Sequence, residues 1–296
     1  MKTVFVTGAN GLQGAAIAAE LGHQGFTVRA LEQPQEQGSY SPRADRFESV
    51  VGSLDDVDSL INGFRGADHV ALTFPLIFDT NRIQQFAHNI VAAHLAAPVQ
   101  SIVFNTSIPV PDRAVGAVAI DSKRMTEAIF DQHELPYISL RPTIYLDNLA
   151  APWSLPLVTN EHILPYPVAV DARVAWLSHH DLGVFVAEAI KRPQLVGQKF
   201  NLGGLQRLTG DEVAAIIGGV VGHPVQFVAV PPDAFEQQLA ESFGAEAARE
   251  IANIYRFVAN YPDFLQAHDL RDQTLVHLPV SLQLAEQWAA RVAWRP

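Results

Sequence analysis

The stretch Thr3-Val4-Phe5-Val6-Thr7-Gly8-Ala9-Asn10-Gly11-Leu12-Gln13-Gly14 runs from an apolar segment through three glycines into an Ala-rich segment ending near Leu21. Thr3 to Thr7 suits a parallel strand buried on both faces, and Ile17 and Leu21, one turn apart, suit a helix. Lacking a Cβ, Gly8 can make a tight turn, Gly11 lets backbone N–H groups approach phosphate oxygens, and Gly14 lets the helix pack closely. The helix N-terminus adds unsatisfied donors and a partial positive charge. A strand-loop-helix of this kind binds a dinucleotide pyrophosphate, with Asn10, Leu12 and Gln13 completing the loop. The spacing, G-x-x-G-x-x-G, departs from the stricter G-x-G-x-x-G.

The next strand, Phe26 to Leu31, is followed by Glu32, about where an acidic residue meets the adenosine ribose in such units. A carboxylate there accepts bonds from the two ribose hydroxyls of NAD and repels the 2′-phosphate of NADP, so NAD is expected ahead of NADP. A solvated Glu at a strand end is the other reading, and Arg29, Arg43 and Arg46 are close enough in sequence to meet a 2′-phosphate.

Further along, apolar runs alternate with helical patterns, as a doubly wound parallel sheet requires. Strands are expected at Phe47–Val51, His69–Thr73, Ser101–Asn105 and Tyr137–Arg141. Helices are expected after a cap near Asp55 or Asp56, over Asn81–Ala97 with Ile83, Phe86, Ile90, Val91 and Leu95 inward, and over Ser122–Gln132 with Met125, Ala128 and Ile129 inward. Ligands collect at the carboxyl ends of such strands, which places Thr73 and Phe74 beside the glycine loop. From Tyr145 to Trp176 four prolines interrupt an apolar, aromatic-bearing stretch that follows no helix-strand repeat. A helix capped by Asp181 then runs to Ile190, followed by a strand at Lys199–Leu202. Thr209-Gly210-Asp211-Glu212 resembles a capping box opening a helix to Val221. Val225–Val230 reads as a strand, and Phe235, Leu239, Phe243, Ile251, Ile254, Tyr255 and Val258 keep helical spacing, as does Leu282–Val292. The expected division is a dinucleotide-binding domain over 1–145, with about 178–203 returning to it, and a smaller lobe from 146–177 and 204–296.

With 48% apolar residues the chain can bury a sizeable core, and the absence of cysteine excludes disulfides, Cys-zinc sites, iron–sulfur clusters and a thiol nucleophile. A formal charge of −11 without a Lys/Arg run argues against direct nucleic-acid binding. No apolar stretch is long enough for a membrane span, and His179-His180-Asp181 makes a poor chelate because adjacent side chains diverge. A chain starting in its first strand leaves no room for a targeting peptide, so a cytoplasmic location is expected.

Several segments resemble the NmrA-like branch of the atypical short-chain dehydrogenases/reductases. They are Thr7–Gly14 with Gln13 before the third glycine, Phe104-Asn105-Thr106-Ser107, Asp121-Ser122-Lys123 through Glu127, Leu135-Pro136-Tyr137, Leu140-Arg141-Pro142, Asp147-Asn148-Leu149, and Asn201-Leu202-Gly203-Gly204 with the Thr209 helix. The resemblance implies a Rossmann core with a small C-terminal α/β substrate lobe. It also implies either an NAD(P)H-dependent reductase or a non-catalytic dinucleotide sensor that binds a regulatory protein.

By the same resemblance, Lys123 holds the nicotinamide ribose and Ser107 occupies the place of the third catalytic hydroxyl. Ser107 also reads as a hydroxyl finishing a strand turn. Such reductases carry a Tyr four residues before the Lys as proton donor, and here that position is Ala119. Tyr145 is a substitute donor or a packed aromatic. Trp153, Tyr166 and Trp176 are pocket or core residues, and Asn148 can orient a polar group among them. The expected reaction is hydride transfer to a small quinone or enone-like acceptor, with the sensor as the alternative.

Overall fold

The computed structural model describes residues 1–33, 47–265 and 270–294. Its seven-stranded sheet is parallel throughout, in the order β3-β2-β1-β4-β5-β6-β8. The strands are β1 (Thr3–Val6), β2 (Thr27–Glu32), β3 (Glu48–Val51), β4 (His69–Thr73), β5 (Ser101–Asn105), β6 (Tyr137–Pro142) and β8 (Lys199–Leu202). β4 and β5 are buried along their whole length, which is why their sequences read as unbroken apolar runs rather than alternations. This is the doubly wound α/β architecture that the sequence implied.

Helices cover both faces. α1 (Leu12–His23) and α5 (His179–Ile190) share one apolar cluster with Val4, Val6, Val28 and Ala30. α2 (Val57–Phe64), α3 (Thr80–Ala96) and α4 (Val118–Gln132) lie on the opposite side, where Phe5, Leu60, Phe64, Phe86, Phe104 and Phe130 pack together. Strand order reverses between β1 and β4. There Thr7 Oγ1 donates to Thr73 O at 2.9 Å and accepts from Thr73 N at 2.9 Å, tying the glycine loop to the end of β4.

α4 is fixed at both ends. The Asp121 carboxylate accepts from the N–H groups of Val115 and Gly116 at 2.9 and 2.8 Å, and the buried Glu127 carboxylate accepts from Ser139 Oγ at 2.6 Å and Arg141 Nε at 2.8 Å. These bonds leave Lys123, between them, little freedom of backbone position.

A second core gathers segments 144–176 and 208–292. Its two-stranded parallel sheet pairs β7 (Ile163–Tyr166) with β9 (Gln226–Ala229). Around it lie α6 (Gly210–Val221), α7 (Pro232–Phe243), α8 (Ala245–Asn260) and α10 (Ala285–Arg291), while α9 (Leu270–His277) packs against β8. Thr209 and Glu212 form the expected reciprocal cap of α6.

The structure departs from the local patterns at several points. Leu95 and Ala128 face solvent, because the buried stripe of each helix is narrower than its run of apolar residues. α4 begins at Val118, a turn earlier than expected. α5 is capped by Ser178, whose hydroxyl accepts from Asp181 N at 3.0 Å, while Asp181 is buried and accepts from Gln283 N at 3.2 Å. The run from Asp233 is two helices, broken at Gly244. β7 was invisible in the proline-rich stretch because only its pairing with β9 makes it a strand.

Candidate active site

The glycine loop can be tested from its backbone. Gly8 lies at φ +69°, a conformation that side-chain-bearing residues rarely adopt. A Cβ on Gly14 would stand 2.1 Å from Gly8 O and 2.4 Å from Gly8 C, so only glycine allows the first turn of α1 to close onto the loop. Gly11 is the N-cap residue of α1 and no side chain caps that end. The first-turn N–H groups are therefore left for an anionic ligand, and these residues fit a pyrophosphate.

From this loop a cavity of about 640 Å³ extends past the ends of β4, β5 and β6 to α7 and α8. Of the residues singled out in the sequence, Gly8, Asn10, Gly11, Leu12, Gln13, Gly14, Thr73, Phe74, Ser107, Lys123, Tyr145, Asn148 and Trp153 line it, as does Tyr166. Ala119 also lines it, one turn before Lys123 on α4, so the position where related reductases carry a phenol holds a methyl group here.

Glu32 and Trp176 do not line the cavity. Side chains alternate along β2, so Leu31 and Gln33 face the cavity while Glu32 turns to the other side and accepts from Ser49 Oγ at 2.6 Å. Trp176 stands behind Tyr166, with ring centroids 5.4 Å apart, and donates from Nε1 to Leu208 O at 3.1 Å; its place is the second core. Arg29 is likewise engaged elsewhere, with Glu48 at 2.9 Å and Arg65 O at 2.6 Å. Arg43 and Arg46 lie outside the described residues.

Lys123 Nζ sits 5.8 Å from the Phe74 ring centroid, without a hydrogen-bond or ion-pair partner among the described residues. Burial pushes its ammonium down to about 8. Close by in the cavity wall, Gln13 Oε1 accepts from Asn105 Nδ2 at 2.7 Å, Ser107 Oγ at 2.9 Å and Tyr145 OH at 3.2 Å. Ser107 reaches this position from the left-handed region, at φ 65°, with its N–H held by Asn105 Oδ1 at 3.0 Å. It therefore both finishes the strand turn and presents its hydroxyl to the cavity. Three donors on an amide oxygen exceed its two lone pairs, so one of them is incompletely held. Tyr145, at the longest distance, is the weakest bound of the three, and its hydroxyl also reaches Asn105 Oδ1 at 3.5 Å. Burial raises its phenol well above the ordinary value, keeping it protonated.

His179, at the start of α5, packs on Tyr145 with centroids 4.6 Å apart and faces Asp147, with Nδ1 3.6 Å from Oδ1. Sequence reasoning missed His179 as a lining residue, along with Phe235, Leu239, Phe243, Ile254 and Tyr255, and missed the buried Asn105 behind the wall as a partner of Gln13. Only Asn105, within the segment that carried the family resemblance, left a local signal; the helical positions looked like ordinary core.

Comparison with known proteins agrees with this fold. The NmrA-like family model matches residues 1–282, and the chain belongs to that family of NAD(P)-binding, Rossmann-type proteins. Among curated proteins it is 23% identical over 265 residues to the NAD(P)H azoreductase of Xenophilus azovorans, covering 88% of each chain. Among solved structures it resembles Citrobacter sp. triphenylmethane reductase complexed with NADP(H), at TM-score 0.76 and 21% identity over 97% of this chain and 99% of that one. It also resembles an NADPH-dependent quinone oxidoreductase of Escherichia coli complexed with NADPH, at TM-score 0.77 and 18% identity over 97% and 98%. At these identities the likeness is one of fold.

Proposed function

We propose that the protein is an NAD(P)H-dependent oxidoreductase acting on a small, flat, electron-poor acceptor such as a quinone or an enone. The observation that carries this reading is the continuous cavity running from the glycine loop, past Lys123, Ser107 and Tyr145, to the aromatic wall. When bound, the nicotinamide supplies hydride chemistry. The chain's own residues supply the rest. First-turn amides of α1 receive the pyrophosphate, Lys123 holds the nicotinamide ribose, and the Tyr145 phenol donates a proton to the oxygen that gains charge as the acceptor is reduced. Phe74, Trp153, Phe243 and Ile254 exclude water from the acceptor's faces.

Both dinucleotides suit this site. Leu31 of β2 and Gln33 just after it present neutral side chains to the cavity, and the Asp55 carboxylate on its wall is paired with Arg82 at 2.7 Å. The NADP(H) and NADPH of the two similar solved structures support this wider choice. NADH and NADPH are expected to bind within about tenfold of each other, a gap of about 1.4 kcal/mol.

Stopped-flow oxidation of both cofactors against a panel of benzoquinones, naphthoquinones and cyclic enones tests the reading. Turnover with at least one acceptor, reduced about 10²-fold or more in Tyr145→Phe, is the expected result. Oxidation at background rate with every acceptor would overturn the reading.

A further inference from the structure

Beyond the reducing centre, the cavity wall contains two phenols in direct contact. Tyr166, on β7, and Tyr255, on α8, lie with their hydroxyl oxygens 2.5 Å apart, and Asn148 Nδ2 donates to Tyr166 OH at 3.3 Å. Both side chains are buried, at 2% and 5% exposure, and both line the cavity. Burial comes first among the causes raising both phenols above their ordinary range, so both remain protonated and neutral.

Counting hydrogens shows what the pair lacks. Two phenols carry two O–H hydrogens, and one of these is shared between the two oxygens. The Asn148 amide brings a further hydrogen and takes none. One O–H hydrogen is therefore left over whichever phenol donates to the other, and among the described residues no acceptor receives it. The neighbouring side chains of Trp153, Phe235, Leu239 and Ile254 carry no oxygen.

We infer that Tyr166 and Tyr255 form a hydrogen-bond donor site for an uncharged carbonyl-type oxygen of the acceptor substrate, with Asn148 orienting Tyr166. This deepens the oxidoreductase reading and rests on it for the identity of the occupant. It narrows the substrate class to flat apolar molecules that carry such an oxygen, and it disfavours plain aromatic hydrocarbons. It also assigns specificity to residues outside the glycine loop and the Lys123 region.

The hydrogen count gives an unusual mutational signature. Tyr255→Phe leaves the Tyr166 hydrogen unshared, and Tyr166→Phe leaves the Tyr255 hydrogen unshared, so each single variant keeps one donor. Only the double variant has none.

Equilibrium dialysis of 1,4-naphthoquinone and of naphthalene, with and without NADP⁺, provides the test, and the absence of cysteine removes thiol addition as a complication. The wild type is expected to hold the quinone about tenfold or more tighter than the hydrocarbon. Each single variant should keep that preference within about threefold. The double variant should lose it while naphthalene affinity stays the same. Retention of the preference in the double variant, equal loss of affinity for both probes, or absence of quinone binding to the wild type would each overturn the inference. Binding that follows this pattern without cofactor oxidation would instead sink the oxidoreductase reading and leave the donor site standing.

Discussion

Lys123 occupies a position where its charge is costly, over the Phe74 ring with no carboxylate paired to it among the described residues, and burial brings its ammonium down to about 8. A dinucleotide held by the charged form should bind progressively more weakly as pH rises through 8. Titration of NADPH binding by fluorescence should show that loss in the wild type. Lys123→Met should bind about tenfold more weakly at pH 7 and lack the step. Glu32 presents the reverse case, a residue whose type and position suggested a ribose role but whose carboxylate accepts from Ser49 Oγ and does not line the cavity. Because its carboxylate accepts from Ser49 away from the cavity, Glu32→Gln should change the ratio of NADH to NADPH affinity by less than about threefold. A shift of tenfold or more, measured by calorimetry, would restore the ribose role to Glu32.

At the scale of elements, the glycine loop and α1 act as one unit. A Cβ at Gly14 meets three backbone atoms within 2.9 Å, and backbone cannot swing aside as a flexible side chain can. Gly14→Ala should cost about 1–3 kcal/mol of stability by overpacking and weaken dinucleotide binding further. Gly219, on the exposed face of α6, has nothing within 4 Å of its would-be Cβ, so Gly219→Ala should stabilise by about 0.5–1 kcal/mol. Urea unfolding of the two variants measures both signs. Element positions were mostly legible because periodicity, caps and glycines act over a few residues. β4, β5, β8 and the Thr209–Glu212 cap fell at their expected residues. The Ser178 cap and the β7 strand depended on partners distant in the chain, and so did the outward turn of Leu95.

Across the whole molecule, the sheet interior imposes its own chemistry on His69, which is fully buried at the start of β4. Lys2 Nζ lies 3.2 Å from its Nε2 and must donate there, so Nδ1 carries the ring hydrogen and donates to Ser101 Oγ at 2.9 Å. Burial, reinforced by Lys2, brings this imidazole down to about 4. An unfolded histidine titrates near 6.5, so the unfolded chain binds the proton first. The contribution is thus fully present above pH 6.5 and is lost as pH falls from there toward 4, up to about 3 kcal/mol. Urea midpoints across that range should fall with acid in the wild type and fall less in His69→Gln. By itself the sequence determined the parallel α/β sheet and the glycine loop fitted to a pyrophosphate, because each follows from residue type and short-range spacing, while its resemblance to the NmrA-like family marked Ala119 as the place where such reductases carry a phenol. Only the tertiary structure decided that Gln13, Asn105, Ser107 and Tyr145 converge on one oxygen, that Glu32 turns away, and that Tyr166 meets Tyr255. Those outcomes depend on which strands pair and which faces pack, and contacts between distant segments leave no mark in local pattern.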